Sequence, residues 1–263
     1  MRITYRRTTN KDYWTKRWSD IPADEPMKND NVYPLKYAKK TISSKDSKIL
    51  EAGCGAGRIL RYYKNNGYNI IGIDFIETAV NKLKAVDSEL QIETGDITQL
   101  RYDNEAFDYV LAFGLFHNLE HSLDKAILES YRVLKKGGKI CASFRADNIQ
   151  TRFTDWLAEY KDQQKGIKTK ATSFHKMNLT RSEFIHLFEK NNIKVEFIDY
   201  VENMPFLYKF SIFRSQAHKE FNENIARKEG YQLSLIGKLI QKQLMRFFPT
   251  QFCNIFVIIG QKK

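Results

Sequence analysis

The chain has 263 residues, a formal net charge of +12 and a pI near 9.4, long enough to bury one sizeable core or a core plus a cap. Hydrophobic residues make up 42% and charged residues 28%, a soluble globular balance, and no apolar run approaches the ~20 residues of a bilayer span. Cys54, Cys141 and Cys253 sit singly in apolar contexts without a C-x-x-C pair or Cys/His cluster, which argues for buried thiols and against a zinc site or disulfide framework.

The start, Met1 to Arg7, is basic, but polar Thr8-Thr9-Asn10-Lys11 follows where a signal peptide needs an apolar stretch, so a cytoplasmic protein is expected. The positive charge fits either lysines spread over solvated faces or an acidic partner: a phosphorylated or carboxylated metabolite, RNA, or an anionic membrane. The cations are dispersed and form no arginine block of the kind found in RNA-binding arms.

The most informative stretch is Ile49-Leu50-Glu51-Ala52-Gly53-Cys54-Gly55-Ala56-Gly57-Arg58, followed by Ile70-Ile71-Gly72-Ile73-Asp74. An apolar run ends in a glycine turn, a helix pattern follows, and a second apolar run ends in an acid. That is how a βαβ unit holds a nucleoside, with glycines letting backbone approach the ligand and a strand-end carboxylate binding ribose hydroxyls. A dinucleotide fold favours G-x-G-x-x-G, but Arg58 occupies that sixth position and the glycines fall as G-x-G-x-G. This resembles motif I of the class I S-adenosylmethionine (SAM) methyltransferases, with Asp74 matching the family's ribose acid.

Further along, strands are expected at Lys48–Ala52, Asn69–Asp74, Gln91–Glu93, Phe107–Phe113 and Lys139–Phe144, and helices at Arg58–Asn66, Glu77–Ala85 and Leu123–Leu134. This alternation implies a parallel sheet with helices on both faces. Lys135-Lys136-Gly137-Gly138 reads as a helix end, cations in the last turn and glycine after it. Ile193–Tyr200 and Asn254–Ile259 are β-rich, and as sixth and seventh strands they would complete the seven-stranded sheet with a hairpin-like antiparallel edge that the methyltransferase resemblance implies. The segments Asp147–Arg181 and Val201–Phe252 exceed ordinary connections, carry helical patterns and are expected to cap the open end of the sheet. Gln163-Gln164-Lys165-Gly166 and Lys168–Thr172 read as a mobile loop.

The resemblance continues through Lys48 to Phe144. Thr94-Gly95-Asp96-Ile97 resembles the family's adenine site, with the acid accepting the amino group and the Ile97 N–H meeting a ring nitrogen. Phe107 to Leu119 resembles the fourth strand and its loop, and Leu123 to Gly138 resembles the segment ending in a family Pro-Gly-Gly, with Lys136 in place of the proline. The resemblance implies an α/β fold: a seven-stranded, mostly parallel Rossmann-like sheet with a helical cap after the fifth and sixth strands. It divides a single domain, 1–263, into lid helices at 1–45, a SAM-binding core at 46–145, cap insertions at 146–253, and a last strand at 254–260. The cofactor it implies is SAM, held by Glu51, Gly53, Gly55, Asp74, Phe75, Asp96, Ile97, Phe113 and Trp14. Within that set Glu51 resembles the acid that orders the loop and the cofactor's amino group. Asp12-Tyr13-Trp14 and Trp18 resemble a leading helix that lids the cofactor.

Methyl transfer needs an aligned nucleophile, excluded water and, for a hydroxyl acceptor, removal of a proton. His117, an imidazole expected to titrate near neutrality at the opening edge of the sheet, is the candidate base. His175 is a second catalytic candidate, reaching down from the cap, while His121 reads as a surface or capping residue. Phe113-Gly114-Leu115-Phe116 stands where amine and amide methylators carry Asn/Asp-Pro-Pro-Tyr/Phe, so an oxygen acceptor is preferred. No acidic cluster suggests a magnesium site. In Leu233–Phe248, apolar positions 235, 236, 239, 240, 244 and 247 form one helical face with Lys238, Lys242 and Arg246 elsewhere. This helix is expected to pack on the cap or sheet, with peripheral membrane contact as the other reading. The functional expectation is O-methylation of a small polar acceptor, a sugar or phosphate-bearing metabolite. The alternatives are an RNA-modifying methyltransferase and a non-catalytic SAM-fold binding protein.

Overall fold

The computed structural model describes residues 1–21, 23, 27, 31, 33–164, 171–222 and 230–263. Lys165–Gly166 and 168–170 of the expected mobile loop lie outside the described residues, while Gln163 and Gln164 are the last residues of a helix.

The chain divides into two compact units. The larger comprises Met1–Arg145, Thr169–Asp199 and Val257–Lys263, and the smaller Ala146–Lys168 and Tyr200–Phe256. Residues 171–181, expected in the cap, therefore belong with the core, as does the sixth strand expected at Ile193–Tyr200 as far as Asp199.

The larger unit is built on a seven-stranded sheet, ordered β4-β3-β2-β5-β6-β9-β8. These strands are β2 (Lys48–Ala52), β3 (Asn69–Asp74), β4 (Ile92–Thr94), β5 (Phe107–Ala112), β6 (Leu134–Arg145), β8 (Ile193–Val201) and β9 (Ile255–Lys262). Strands β4, β3, β2, β5 and β6 run parallel. Their apolar side chains are almost wholly buried, as strands covered on both faces require. Ile49 stands opposite both Ile70 and Tyr109, so the loops after Ala52, Asp74 and Ala112 open together along the carboxyl edge. In open parallel sheets that edge is where ligands bind.

Helix α3 (Arg58–Asn65) buries Ile59, Leu60 and Tyr63, and α4 (Glu77–Val86) buries Ala79, Val80 and Leu83, the spacing of a single helical face. Helix α5 (Leu123–Val133) ends one residue earlier than expected, and Lys135–Gly138 is counted within β6 rather than in a separate turn. The pairing of β5 and β6 slips there, and Gly137 takes φ +76 to accommodate it.

At the N-terminus, β1 (Arg2–Arg6) precedes α1 (Asn10–Asp20) and α2 (Leu35–Thr41). Strand β1 pairs antiparallel with β7 (Ser173–Asn178) in a second, two-stranded sheet that the charged sequence Arg-Ile-Thr-Tyr-Arg does not announce. Helix α7 (Arg181–Glu189) follows β7, opened by a capping box between Thr180 and Glu183.

The smaller unit holds α6 (Ile149–Gln164), α8 (Leu235–Phe247), α9 (Pro249–Phe252) and short 3-10 turns. It has its own cluster of Leu207, Tyr208 and Leu233, against which Met204, Phe206, Phe210 and Leu244 pack. Asn148 ties it together, its Nδ2 donating to the carbonyls of Thr250 (2.8 Å) and Cys253 (2.7 Å).

Candidate active-site cleft

The glycine turn is fixed by backbone bonds before any ligand is considered. The N–H groups of Gly53 and Cys54 both donate to the Ile73 carbonyl, at 2.8 and 3.0 Å. Gly53, Gly55 and Gly57 take φ of +72, +53 and +74, the left-handed region that other residues enter at a cost. At Gly55 close approach adds to this, since a Cβ would fall 2.6 Å from Trp18 Cζ2.

Asp74 locks the turn to its own strand end. Its Oδ2 accepts from Gly55 N–H (2.8 Å) and its Oδ1 from Ile76 N–H (2.9 Å). Burial pushes this carboxyl above its ordinary value while the two backbone donors pull it back. Each oxygen retains a lone pair for a further donor. One strand over, Asp96 accepts from Thr98 N–H at 2.8 Å, and Ile97 is buried beside it.

Over these loops lies α1. Lys82 of α4 clamps its C-terminal end, Nζ donating to the carbonyls of Trp18 (2.8 Å), Ser19 (2.6 Å) and Ile21 (3.0 Å). A cation at a helix C-terminus satisfies carbonyls that have no helical partner. Trp14 and Trp18 stack with centroids 5.6 Å apart. The cleft so enclosed has a volume of about 450 Å³ and is mostly apolar. Its wall includes Trp14, Trp18, Gly53, Asp74, Phe75, Asp96 and Ile97.

Of the sequence candidates, Trp14, Gly53, Asp74, Phe75, Asp96 and Ile97 thus meet in one cavity. Glu51, Gly55 and Phe113 are not on its wall. Gly55 acts through its bond to Asp74, and Phe113 stands edge-on to Tyr33 with centroids 5.8 Å apart. Glu51 is buried behind the turn with Oε2 lacking a hydrogen-bond partner, and burial pushes its carboxyl up to about 8. Sequence reading missed Asn10 and Asn118, which close the far wall: Asn10 Nδ2 donates to the Asn118 carbonyl (3.1 Å) and Asn118 Nδ2 to that of Gly114 (2.8 Å). Nothing in their spacing signals this, because they meet only when α1 folds over the loop after β5.

The histidines differ from expectation. His117 lies in the 3-10 turn Phe116–Asn118, buried and off the cleft wall, with Nδ1 lacking a hydrogen-bond partner. Burial, together with Arg145, Lys176, His175 and Arg6 nearby, holds its pKa well below the ordinary value, so it is a neutral imidazole and a poor proton acceptor. His175 is on β7 in the core unit, not on a cap, and its carbonyl accepts from Arg6 Nη2 at 3.1 Å. His121, read as a surface residue, is exposed and lines the cleft mouth. Among the described residues no group of His, Cys, Asp and Glu is arranged to hold a metal ion.

Comparison with known proteins agrees with this geometry. Residues 50–142 match the family described as a methyltransferase domain. The ubiquinone biosynthesis O-methyltransferase of Coxiella burnetii (strain Dugway 5J108-111) is 28% identical over 173 residues, covering 62% of this chain and 73% of that protein. The S-adenosyl-L-methionine-dependent Diels-Alderase iccD of Talaromyces variabilis is 25% identical over 171 residues, 59% of this chain and 58% of that one. Other curated matches span little more than half of the relative's length, 54% and 52% in two cases. Among solved structures, a SAM-dependent methyltransferase from Methanosarcina mazei superposes with a TM-score of 0.58 at 16% identity, covering 88% of this chain and 98% of that one.

Proposed function

This chain belongs to the class I SAM-dependent methyltransferases, and from that premise we propose that it methylates an oxygen of a small acidic acceptor. The observation that carries the acceptor class is the gathering of Arg6, Arg145, His175 and Lys176 around His117, in the turn that continues into the cleft wall at Asn118. The guanidinium of Arg6 lies 3.9 Å from the Tyr13 ring, which meets Trp14 of the cleft edge to face.

The cleft residues fit SAM. Asp74 offers carboxylate lone pairs for ribose hydroxyls, and Asp96 with the Ile97 N–H suits an adenine edge. Gly53 keeps the wall open where a Cβ would sit 3.1 Å from Leu115 Cδ1, and Glu51 keeps an unsatisfied buried oxygen behind the turn. When bound, SAM supplies a methyl group already activated on a sulfonium. The chain's part is to align the acceptor, exclude water with Trp14 and Trp18, and hold negative charge at the acceptor. Burial first and the neighbouring basic groups second keep His117 neutral, and Arg6, Arg145 and Lys176 would favour an ionised acceptor, whose oxyanion attacks the methyl carbon without a histidine base.

The test is transfer of methyl-labelled SAM into a cell extract separated into RNA, lipid and soluble fractions. Label in soluble anionic metabolites is the expected result, and label in RNA or lipid would overturn the acceptor class. Asp74→Ala is the control, expected to weaken SAM binding by about 1.5–3 kcal/mol. Wild-type protein that binds no SAM would overturn the whole reading and return the chain to a non-catalytic role.

A further inference from the structure

Helix α8 is amphipathic, and its apolar face is the one left uncovered. Leu235, Ile236, Leu239 and Phe247 are 81%, 66%, 65% and 65% exposed, with Ile240 and Phe248 exposed beside them. The buried positions are instead Gly237 and Gln241. The missing side chain of Gly237 lets the helix rest on Phe213, where a Cβ would fall 2.6 Å from the Phe213 carbonyl oxygen. Gln241 Oε1 accepts from Leu207 N–H at 3.0 Å, and its Nε2 donates to Glu202. Leu244 completes this inward line against the Leu207–Tyr208–Leu233 cluster. The expectation that the apolar face packs within the protein is therefore reversed.

Turning each residue by 100° sets Leu235, Leu239, Ile236, Phe247 and Ile240 in one outward arc. Lys238 and Lys242 border that arc and Arg246 stands within it, between Leu235 and Leu239, all exposed. From Gly230 to Lys263 the sequence contains no Asp or Glu, so nothing in this stretch offsets those cations. Near the helix start, Ile212 adds a further exposed side chain next to Phe213, whose carbonyl accepts from Ser234 N–H at 2.9 Å. Among the described residues no helix is long and apolar enough to cross a membrane. A short helix with an apolar face, a basic border and no acid has the makeup of one that lies in the plane of an anionic bilayer.

We propose that α8 is a peripheral docking surface for anionic phospholipid bilayers. Leu235, Leu239, Ile240 and Phe247 enter the headgroup boundary, and Lys238, Lys242 and Arg246 meet lipid phosphates. Charge selects this occupant over an uncharged apolar partner, and a second copy of the chain would bring like charges together.

The test is co-sedimentation of the purified full chain with phosphatidylcholine vesicles, with and without phosphatidylglycerol. Binding to the anionic vesicles is expected to exceed that to the neutral ones by about 100-fold, each of the three cations contributing about fivefold, and to weaken with salt. The double variant Leu239→Glu/Phe247→Glu, altered only at exposed positions, is expected to lose vesicle binding while keeping SAM affinity, which shows it folded. Absence of binding to anionic vesicles at low salt would overturn the proposal. So would vesicle binding that survives the double variant, or a dimer in sedimentation that the double variant dissolves.

Discussion

Helices α4 and α8 carry comparable one-sided apolar patterns, and the structure turns them in opposite directions. In α4 the apolar face, Ala79, Val80 and Leu83, is buried in the core unit. In α8 the apolar face is exposed, and a glycine and a glutamine are buried instead. Periodicity establishes that a face exists, and the neighbours decide what covers it. The difference between the regions is one of partners: α4 connects two strands of a sheet that needs covering, whereas the smaller unit already fills its cluster with Leu207, Tyr208 and Leu233.

The comparison can be broken at its tightest point first. Gly55→Ala forces a left-handed backbone on alanine and drives its Cβ into Trp18. About 1–3 kcal/mol of backbone strain before the collision is relieved corresponds to a loss of SAM affinity approaching 100-fold by calorimetry. Unaltered affinity would mean that the seating of Trp18 on the turn is irrelevant to binding. In the smaller unit the order of importance is inverted. Gln241→Ala leaves the buried Leu207 N–H and Glu202 without their partner and is expected to cost about 1–3 kcal/mol in urea denaturation. Leu239→Ala on the outward face is expected to change stability by no more than about 0.5 kcal/mol.

A pH-dependent effect separates Glu51 from these. Its folded pKa, about 8, lies above the ordinary 4.5, so between those values the folded state holds a proton that the unfolded state has released. The stability this contributes is fully present below the unfolded value and is lost as pH rises through the folded one. Glu51→Gln carries no titrating proton and is expected to flatten that decline, with a gain of about 1 kcal/mol at alkaline pH. Thermal midpoints at acidic and alkaline pH measure it, and identical slopes for both proteins would contradict burial of the carboxyl.

Much of the core was legible because its signals are local. Strands Lys48–Ala52 and Asn69–Asp74 fall within the bounds expected from their apolar runs, and Gly53 and Asp74 meet in the cleft as the spacing of a βαβ unit implies, with Asp96 where the methyltransferase resemblance puts it. Strand β1 was not legible, because the alternation of Ile3 and Tyr5 in Arg2–Arg6 covers only five residues and the strand is held by pairing with residues 173–178, far along the chain. Asn10 and Asn118 were silent for the same reason.

By itself the sequence determined the α/β alternation, the glycine turn and the acids at the strand ends, because backbone conformation and residue chemistry act over a few positions. The tertiary structure alone decided that Arg6, Arg145, His175 and Lys176 gather around a buried, neutral His117, and that α8 turns its leucines and phenylalanines outward. Electrostatic environment and solvent exposure are sums over neighbours brought together from distant parts of the chain, and they exist only once it has folded.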